Sequence, residues 1–260
     1  MSDYTTVTEL PGSKVTREQL ERGHHRYFFA TGFGEAKDVL EVACGAGLGL
    51  GMLAQKAKLV VGGDIDEIIL EFAQAHYQGR KNIEIRRLDA QKLPFADENF
   101  DLVILYEAIY YLPDPRQFVH EASRVLRRNG TLLIATANKD WADFNPSPFS
   151  TRYFSVPELS LLLKEKFQKV EIYGAFPVLA DTLKSRIISL IKRIAVALHL
   201  MPKTMKGKEI YKRIIFGQLV ILPPEIKMEM AQYTPPVPIS SEEPEKLHMV
   251  IYAVAKKFNP

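Results

Sequence analysis

Predicted strands and helices alternate along most of the chain, which predicts an α/β fold: a mostly parallel sheet with helices on both faces. Two local features sharpen that expectation. Val39-Leu-Glu-Val-Ala-Cys-Gly-Ala-Gly-Leu-Gly-Leu-Gly51 runs from an apolar strand through a glycine-dense turn into helical spacing, and the next apolar stretch, Leu59-Val-Val-Gly-Gly-Asp64, closes on an acid. With 260 residues, 47% of them hydrophobic and 25% charged, the chain is long enough for one well-buried domain with an insertion, and too short for two full ones.

The elements follow in order. Residues 1–14 include Pro11-Gly12 and little periodicity, a loose arm; Val15 to Ala30 has helical spacing, with Leu20, Tyr27 and Phe28 as apolar positions beside His24, His25 and Arg26. The first strand is predicted at 38–43, a helix at 48–57, the second strand at 59–64 and a helix at 66–77. Strands are expected at 83–87 and 100–106, a helix at 116–127 and a fifth strand at 130–136. A helix at 156–167 then leads to a sixth strand at 169–173, and the last strand is placed at 248–255. No internal repeat is present.

Parallel sheets bind ligands beyond the carboxyl ends of their strands. At the end of the first strand, a dinucleotide fingerprint would need Gly-x-Gly-x-x-Gly, but from Gly45 and Gly47 the third position falls on Leu50. What stands instead is Glu41 within the strand, then Ala43, Gly45 and Gly47, with Asp64 seventeen residues after Gly47. An acid there can accept two hydrogen bonds from a ribose diol. The third strand is followed by Leu88-Asp89-Ala90, where Asp89 either accepts from an adenine amino group or caps the next turn.

These residues together resemble the class I S-adenosylmethionine-dependent methyltransferases, nearest the small-molecule and glycan O-methyltransferases of the type 11 group. The resemblance covers residues 24 to 175 well and the final strand more loosely. It implies a Rossmann-like seven-stranded sheet with an antiparallel last strand, and S-adenosylmethionine as cofactor. The cofactor would be held by Glu41, Ala43, Gly45, Gly47, Asp64, Ile65, Asp89, Ala90 and Tyr106, under a cap helix with an Arg or Tyr near the methionine carboxylate. Many members carry glycine where this chain has Ala43. By the same resemblance the domain plan is an arm and cap helix (1–30), a cofactor-binding core (31–176), an insertion (177–245) and the final strand (246–260).

The fourth strand ends Leu105-Tyr-Glu-Ala-Ile-Tyr-Tyr-Leu112. Related quinone-pathway enzymes have Glu-x-x-Glu-His there, a set that can hold a divalent metal; here Glu107 is kept and Tyr110 and Tyr111 replace the others. One carboxylate is too few for a hard cation, so no metal is expected. The tyrosine pair would suit stacking on a sugar or aromatic acceptor, or one of the two belongs to the core. The six histidines show no paired-ligand spacing, and neither a nucleophile elbow nor a phosphate-binding glycine loop with its Lys-Ser/Thr is present.

The segment from Asn138 to Ser155 is long and aromatic for a connector, whose median is about five residues. Trp141, Phe144, Phe149, Tyr153 and Phe154 either line an acceptor pocket or pin the loop to its own domain. Its Asn-Pro…Phe-Ser pattern resembles that of sugar-modifying relatives, which favours a glycan acceptor. In the insertion, Asp181 to Arg213 holds nine basic residues against two acids in a chain whose net charge is +3, so the remainder is acidic and the basicity is one patch. That argues against nucleic-acid binding. An amphipathic helix over 181–200 is predicted, either a lid on the sheet or a peripheral contact with an anionic membrane surface.

The expected function is therefore O-methylation of a hydroxyl on a sugar, glycan or glycolipid. A small isoprenoid, quinone or polyketide acceptor is the enzymatic alternative, and a non-catalytic cofactor-binding sensor the alternative of another class. His24, His25, Glu107 and Asp143 are candidate bases that spacing does not separate. Cys44 is the lone cysteine, no run of about 18 apolar residues occurs, and the N-terminus lacks a leader pattern, so a cytoplasmic protein, peripheral at most, is expected.

Overall fold

The computed structural model describes residues 8–147, 149–177 and 218–258. Lys14–Val15 (β1) leads into a helix, Arg17–Gly34 (α1), that starts where the sequence supplies a reciprocal cap. The Thr16 hydroxyl accepts from the Gln19 amide at 3.1 Å, and the Gln19 side chain accepts from the Thr16 amide at 3.0 Å. The core then alternates: Asp38–Val42 (β2), Leu50–Ala54 (α2), Leu59–Asp64 (β3), Glu67–Tyr77 (α3), Ile83–Arg87 (β4) and Phe100–Tyr106 (β5). Pro115–Val125 (α4), Leu126–Ala137 (β6), Val156–Lys164 (α5) and Lys169–Pro177 (β7) complete it, before Val220–Ile221 (β8), Val237–Ile239 (β9) and His248–Lys256 (β10).

The sheet order is β4-β3-β2-β5-β6-β10-β7-β9. From β4 to β6 every pair is parallel, while β10 lies antiparallel between β6 and β7. The seven predicted strands are all present, and an eighth short edge strand is added. That strand, β9, comes from the proline-rich stretch Tyr233-Thr-Pro-Pro-Val-Pro238, whose composition reads as an extended strap, and Pro238 sits opposite Tyr173 at the sheet edge, where a missing N–H is tolerated. A separate two-stranded sheet joins β1 to β8.

β2 is buried along its whole length, because helices cover both sheet faces. Leu40 and Val42 face the cluster under α4 and α5, whereas Val39 faces the one under α1, α2 and α3. Boundaries differ from the sequence reading at turns. The glycine-rich helix shrinks to five residues, and β6 begins at Leu126 because pairing with Phe100 starts ahead of the bulge there. The predicted amphipathic helix over 181–200 lies outside the described residues. No helix among the described residues is long and apolar enough to cross a membrane.

Candidate functional site

The strand order puts the carboxyl ends of β4, β3, β2 and β5 side by side, and the predicted cofactor residues gather there. After Val42 the chain turns sharply: Ala43, Gly45 and Gly47 all have positive φ, at 56°, 56° and 74°. Gly47 is required twice over, since an added Cβ would come within 2.8 Å of Ala73 on α3. Gly49 makes room for the Tyr27 ring, which would lie 2.1 Å from a Cβ at that position. Tyr77 at the end of α3 fixes the turn from below, donating to the Gly47 carbonyl at 2.8 Å and accepting from the Gly51 amide at 3.0 Å. Sequence reading missed Tyr77, because a tyrosine at a helix end carries no local signal.

Ala43 departs from the glycine of its relatives, and its left-handed backbone is strained for a residue with a Cβ. Ala43→Gly is therefore expected to raise the unfolding free energy by about 0.5–1 kcal/mol with cofactor affinity retained, read by denaturant melts beside calorimetry.

Asp64 joins the turn to the second strand. Its Oδ2 accepts from the Gly45 amide at 2.9 Å and its Oδ1 from the Asp66 amide at 3.1 Å, so both oxygens are aimed and each keeps a further lone pair. Burial raises its pKa, opposed by the backbone donors of Asp66, Gly45 and Ile65. Next to it Ile65, half exposed, lines a depression of about 360 Å³ with Arg87, Leu88, Asp89, Lys92 and Pro94. Asp89 also makes the capping bond weighed from sequence: its Oδ1 accepts from the Gln91 amide at 2.8 Å. Ala90 is buried behind it.

Glu41 is the most enclosed acid of the set, 1% exposed. Its Oε1 accepts from the Tyr27 hydroxyl at 2.8 Å, and its Oε2 is buried with no hydrogen-bond partner. Burial pushes its pKa up to about 8, with the Asp64 charge adding and the Tyr27 hydrogen bond and Arg26 opposing. A desolvated carboxyl oxygen with nothing to accept is costly; it fits a ligand that brings a cationic N–H donor or a sulfonium to the turn. The residues present thus suit S-adenosylmethionine.

Several expected contacts are redistributed. Tyr106 is turned under the cap helix, where its hydroxyl donates to the Arg26 carbonyl at 3.1 Å and its ring lies edge-on to Tyr27. It supports α1, and the open rim is formed by the next residue. Glu107 has φ 52°, and its carboxylate accepts from the Tyr110 hydroxyl at 2.9 Å and faces Arg26 Nη1 at 3.5 Å. Tyr110 is buried with one face stacked on Tyr153, 4.4 Å between centroids, and Tyr111 lies edge-on to Tyr110. The aromatic loop is thereby pinned to its own domain, helped by the Thr151 amide donating to the Tyr110 carbonyl and its hydroxyl to that of Leu112. Phe154 belongs to the core, Trp141 is half-buried, and Phe149 is exposed on the loop. Among the described residues no three His, Cys, Asp or Glu side chains converge as a metal site would require.

The two histidines offered as bases are occupied otherwise. His24 Nε2 donates to the Met228 carbonyl at 2.7 Å, and His25 Nε2 to that of Thr234 at 2.7 Å. His25 Nδ1 then accepts from the Tyr252 hydroxyl at 2.8 Å, which requires the neutral ring; burial lowers its pKa accordingly. Both rings tie residues 228–234 down across α1.

Comparison with known proteins agrees with this geometry. Residues 40–134 match the Methyltransferase domain family. A protein of Mycolicibacterium smegmatis named "Probable S-adenosylmethionine-dependent methyltransferase" is 36% identical over 147 residues, 54% of this chain and 55% of that one. A Coxiella burnetii "Ubiquinone biosynthesis O-methyltransferase" is 28% identical over 108 residues, 41% of this chain and 46% of its own length. The chain thus spans about half the length of the curated relatives it matches. Among solved structures, the YcgJ protein of Bacillus subtilis has a TM-score of 0.58 at 18% identity, covering 92% of this chain and all of that one. The [4+2]-cyclase SpnF has a TM-score of 0.59 at 15% identity, covering 97% and 88%.

The fold and the turn therefore define a Rossmann-like domain of the class I type. Residues 40–134 thus carry the match to a methyltransferase domain, and over about half its length the chain is similar to proteins named S-adenosylmethionine-dependent methyltransferases.

Proposed function

We propose that the protein transfers a methyl group from S-adenosylmethionine to a hydroxyl of a small-molecule acceptor, with an isoprenoid, quinone or polyketide type of acceptor favoured over a sugar. The observation that carries the cofactor half is the buried, unpartnered Glu41 oxygen beside the Asp64–Gly45 bond. For the acceptor half, two things weigh against the sugar. Tyr110, the stacking platform expected for it, has a face covered by Tyr153, and the Coxiella relative is named for quinone biosynthesis. Half-buried Phe28, Phe176 and Tyr233 near His25 offer an apolar wall instead.

The cofactor supplies a methyl already activated on a sulfonium, so the chain's work is to align and to exclude water, where positioning is worth about 7–11 kcal/mol. The Asp64–Gly45 and Tyr77–Gly47 bonds hold the turn against which the nucleoside is set. Glu107, on the strand-end rim and partly exposed, takes the proton of the acceptor hydroxyl, since His24 and His25 are committed to the strap. SpnF has a similar fold and is named a cyclase, so the chemistry needs its own test.

That test is labelled methyl transfer to a panel of catechols, hydroquinones and methyl glycosides. Label extracted into an organic phase is expected. Label confined to the glycosides would restore the sugar reading, and demethylated cofactor binding without any transfer would indicate a sensor.

A further inference from the structure

We propose that Arg22 anchors a carboxylate or phosphate on the acceptor, an extension that rests on the methyl-transfer reading. Arg22 and Arg26 stand one helical turn apart on α1, so their side chains leave the same face of the helix. In both, the Nε–H is buried and has no hydrogen-bond partner. Arg22 Nη2 pairs with Glu18 and also reaches the Met249 thioether at 3.1 Å, a weak acceptor, so neither bond serves the Nε–H. Its guanidinium otherwise lies over the Phe176 ring at 5.5 Å. Arg26 reaches Glu107 at 3.5 Å, a long contact for an ion pair. A buried N–H donor without an acceptor is destabilising, and two on neighbouring guanidiniums are most simply explained by an anion that completes them.

The location separates this anion from the cofactor's own carboxylate. Met249 begins β10 and Phe176 ends β7, whereas the cofactor residues close β2, β3 and β4. Three strands, β5, β6 and β10, lie between β2 and β7, each step about 4.8 Å. Arg26, beside Glu107 just past the end of β5, stands at the junction, and Arg22 stands on the far side of it. Around Arg22 the surface is aromatic: Phe176 packs on His25 at 4.9 Å, and Tyr233 stacks on Phe28 at 4.3 Å. An acceptor with an apolar body and one acidic group matches that combination of guanidinium and rings.

The experiment is calorimetry on the full chain saturated with S-adenosylhomocysteine, using benzoate and phenyl phosphate as anionic probes and benzyl alcohol as the neutral one. At least one anion is expected to bind about tenfold or more tighter than benzyl alcohol. Arg22→Gln should erase that difference while the affinity for S-adenosylhomocysteine stays within about twofold. Arg17→Gln, at an exposed position on the same helix, serves as the control for lost net charge and should leave the difference intact. Whichever anion is preferred tells carboxylate from phosphate. The proposal is overturned by equal binding of charged and neutral probes, by no anion binding up to about 10 mM, or by an unchanged preference in Arg22→Gln. Anion binding that disappears on adding S-adenosylhomocysteine would overturn it too, by assigning the seat to the methionine carboxylate. Failure of S-adenosylhomocysteine itself to bind would instead remove the underlying methyltransferase reading.

Discussion

Asp64→Ala is expected to weaken binding of S-adenosylmethionine and of its demethylated product by about 100-fold, the loss of two charge-assisted hydrogen bonds at roughly 1.5 kcal/mol each. Both oxygens are already oriented by the Gly45 and Asp66 amides, so a ribose placed there would meet acceptors that need no reorganisation. The same variant frees the Gly45 amide, and part of the loss will come from a looser turn. Asp64→Asn separates the two effects: its amide oxygen keeps one acceptor while its NH₂ replaces the other, so about a tenfold loss is expected. Calorimetry on each variant beside its thermal melt provides the measurement. Wild-type-like affinity in Asp64→Ala, or a nicotinamide nucleotide binding in its place, would remove the acid from the role proposed for it.

How far the chain could be read in advance depended on whether a feature was local. The strand-turn-helix run at 39–51 and the acid closing the strand at 64 are stretches whose meaning is carried by neighbours in sequence, and the structure shows each in the expected place. Glu41 was legible as a position but not as an environment, because its burial depends on Tyr27 arriving from α1. The tyrosines at 106 and 110 were legible as aromatic, but their hydroxyl and stacking partners, Arg26 and Tyr153, come from other elements. His24 and His25 looked chemical because histidine titrates near neutrality; their partners lie 204 and 209 residues away, a pairing no local pattern reveals. Tyr233 to Pro238 reads as a strap because it is rich in proline, and only a free sheet edge beside β7 turns its end, Val237–Ile239, into a strand.

Glu41→Gln should act on stability and on binding in opposite directions. In the folded protein the Glu41 carboxyl has a pKa pushed up to about 8, against an ordinary 4.5, chiefly by burial. Its contribution to stability is therefore complete below 4.5 and is lost as the pH rises through about 8, at no more than about 1.4 kcal/mol per pH unit for one proton. Glutamine has nothing to ionise, so the variant should lose this slope and be more stable than the parent at pH 8 and above, while matching it near pH 4.5. Binding follows the other direction. A cation seated at the unpartnered Oε2 favours the carboxylate, so the parent should release a proton on binding at neutral pH and bind more tightly as the pH approaches 8. In Glu41→Gln the proton release should vanish and affinity should fall about tenfold. Calorimetry in buffers of different ionisation enthalpy measures the proton, and urea melts across the pH range measure the slope. The split between ligands then locates the charge. Equal losses for S-adenosylmethionine and S-adenosylhomocysteine place Oε2 towards the ammonium they share, whereas a larger loss for S-adenosylmethionine places it towards the sulfonium that only one of them carries.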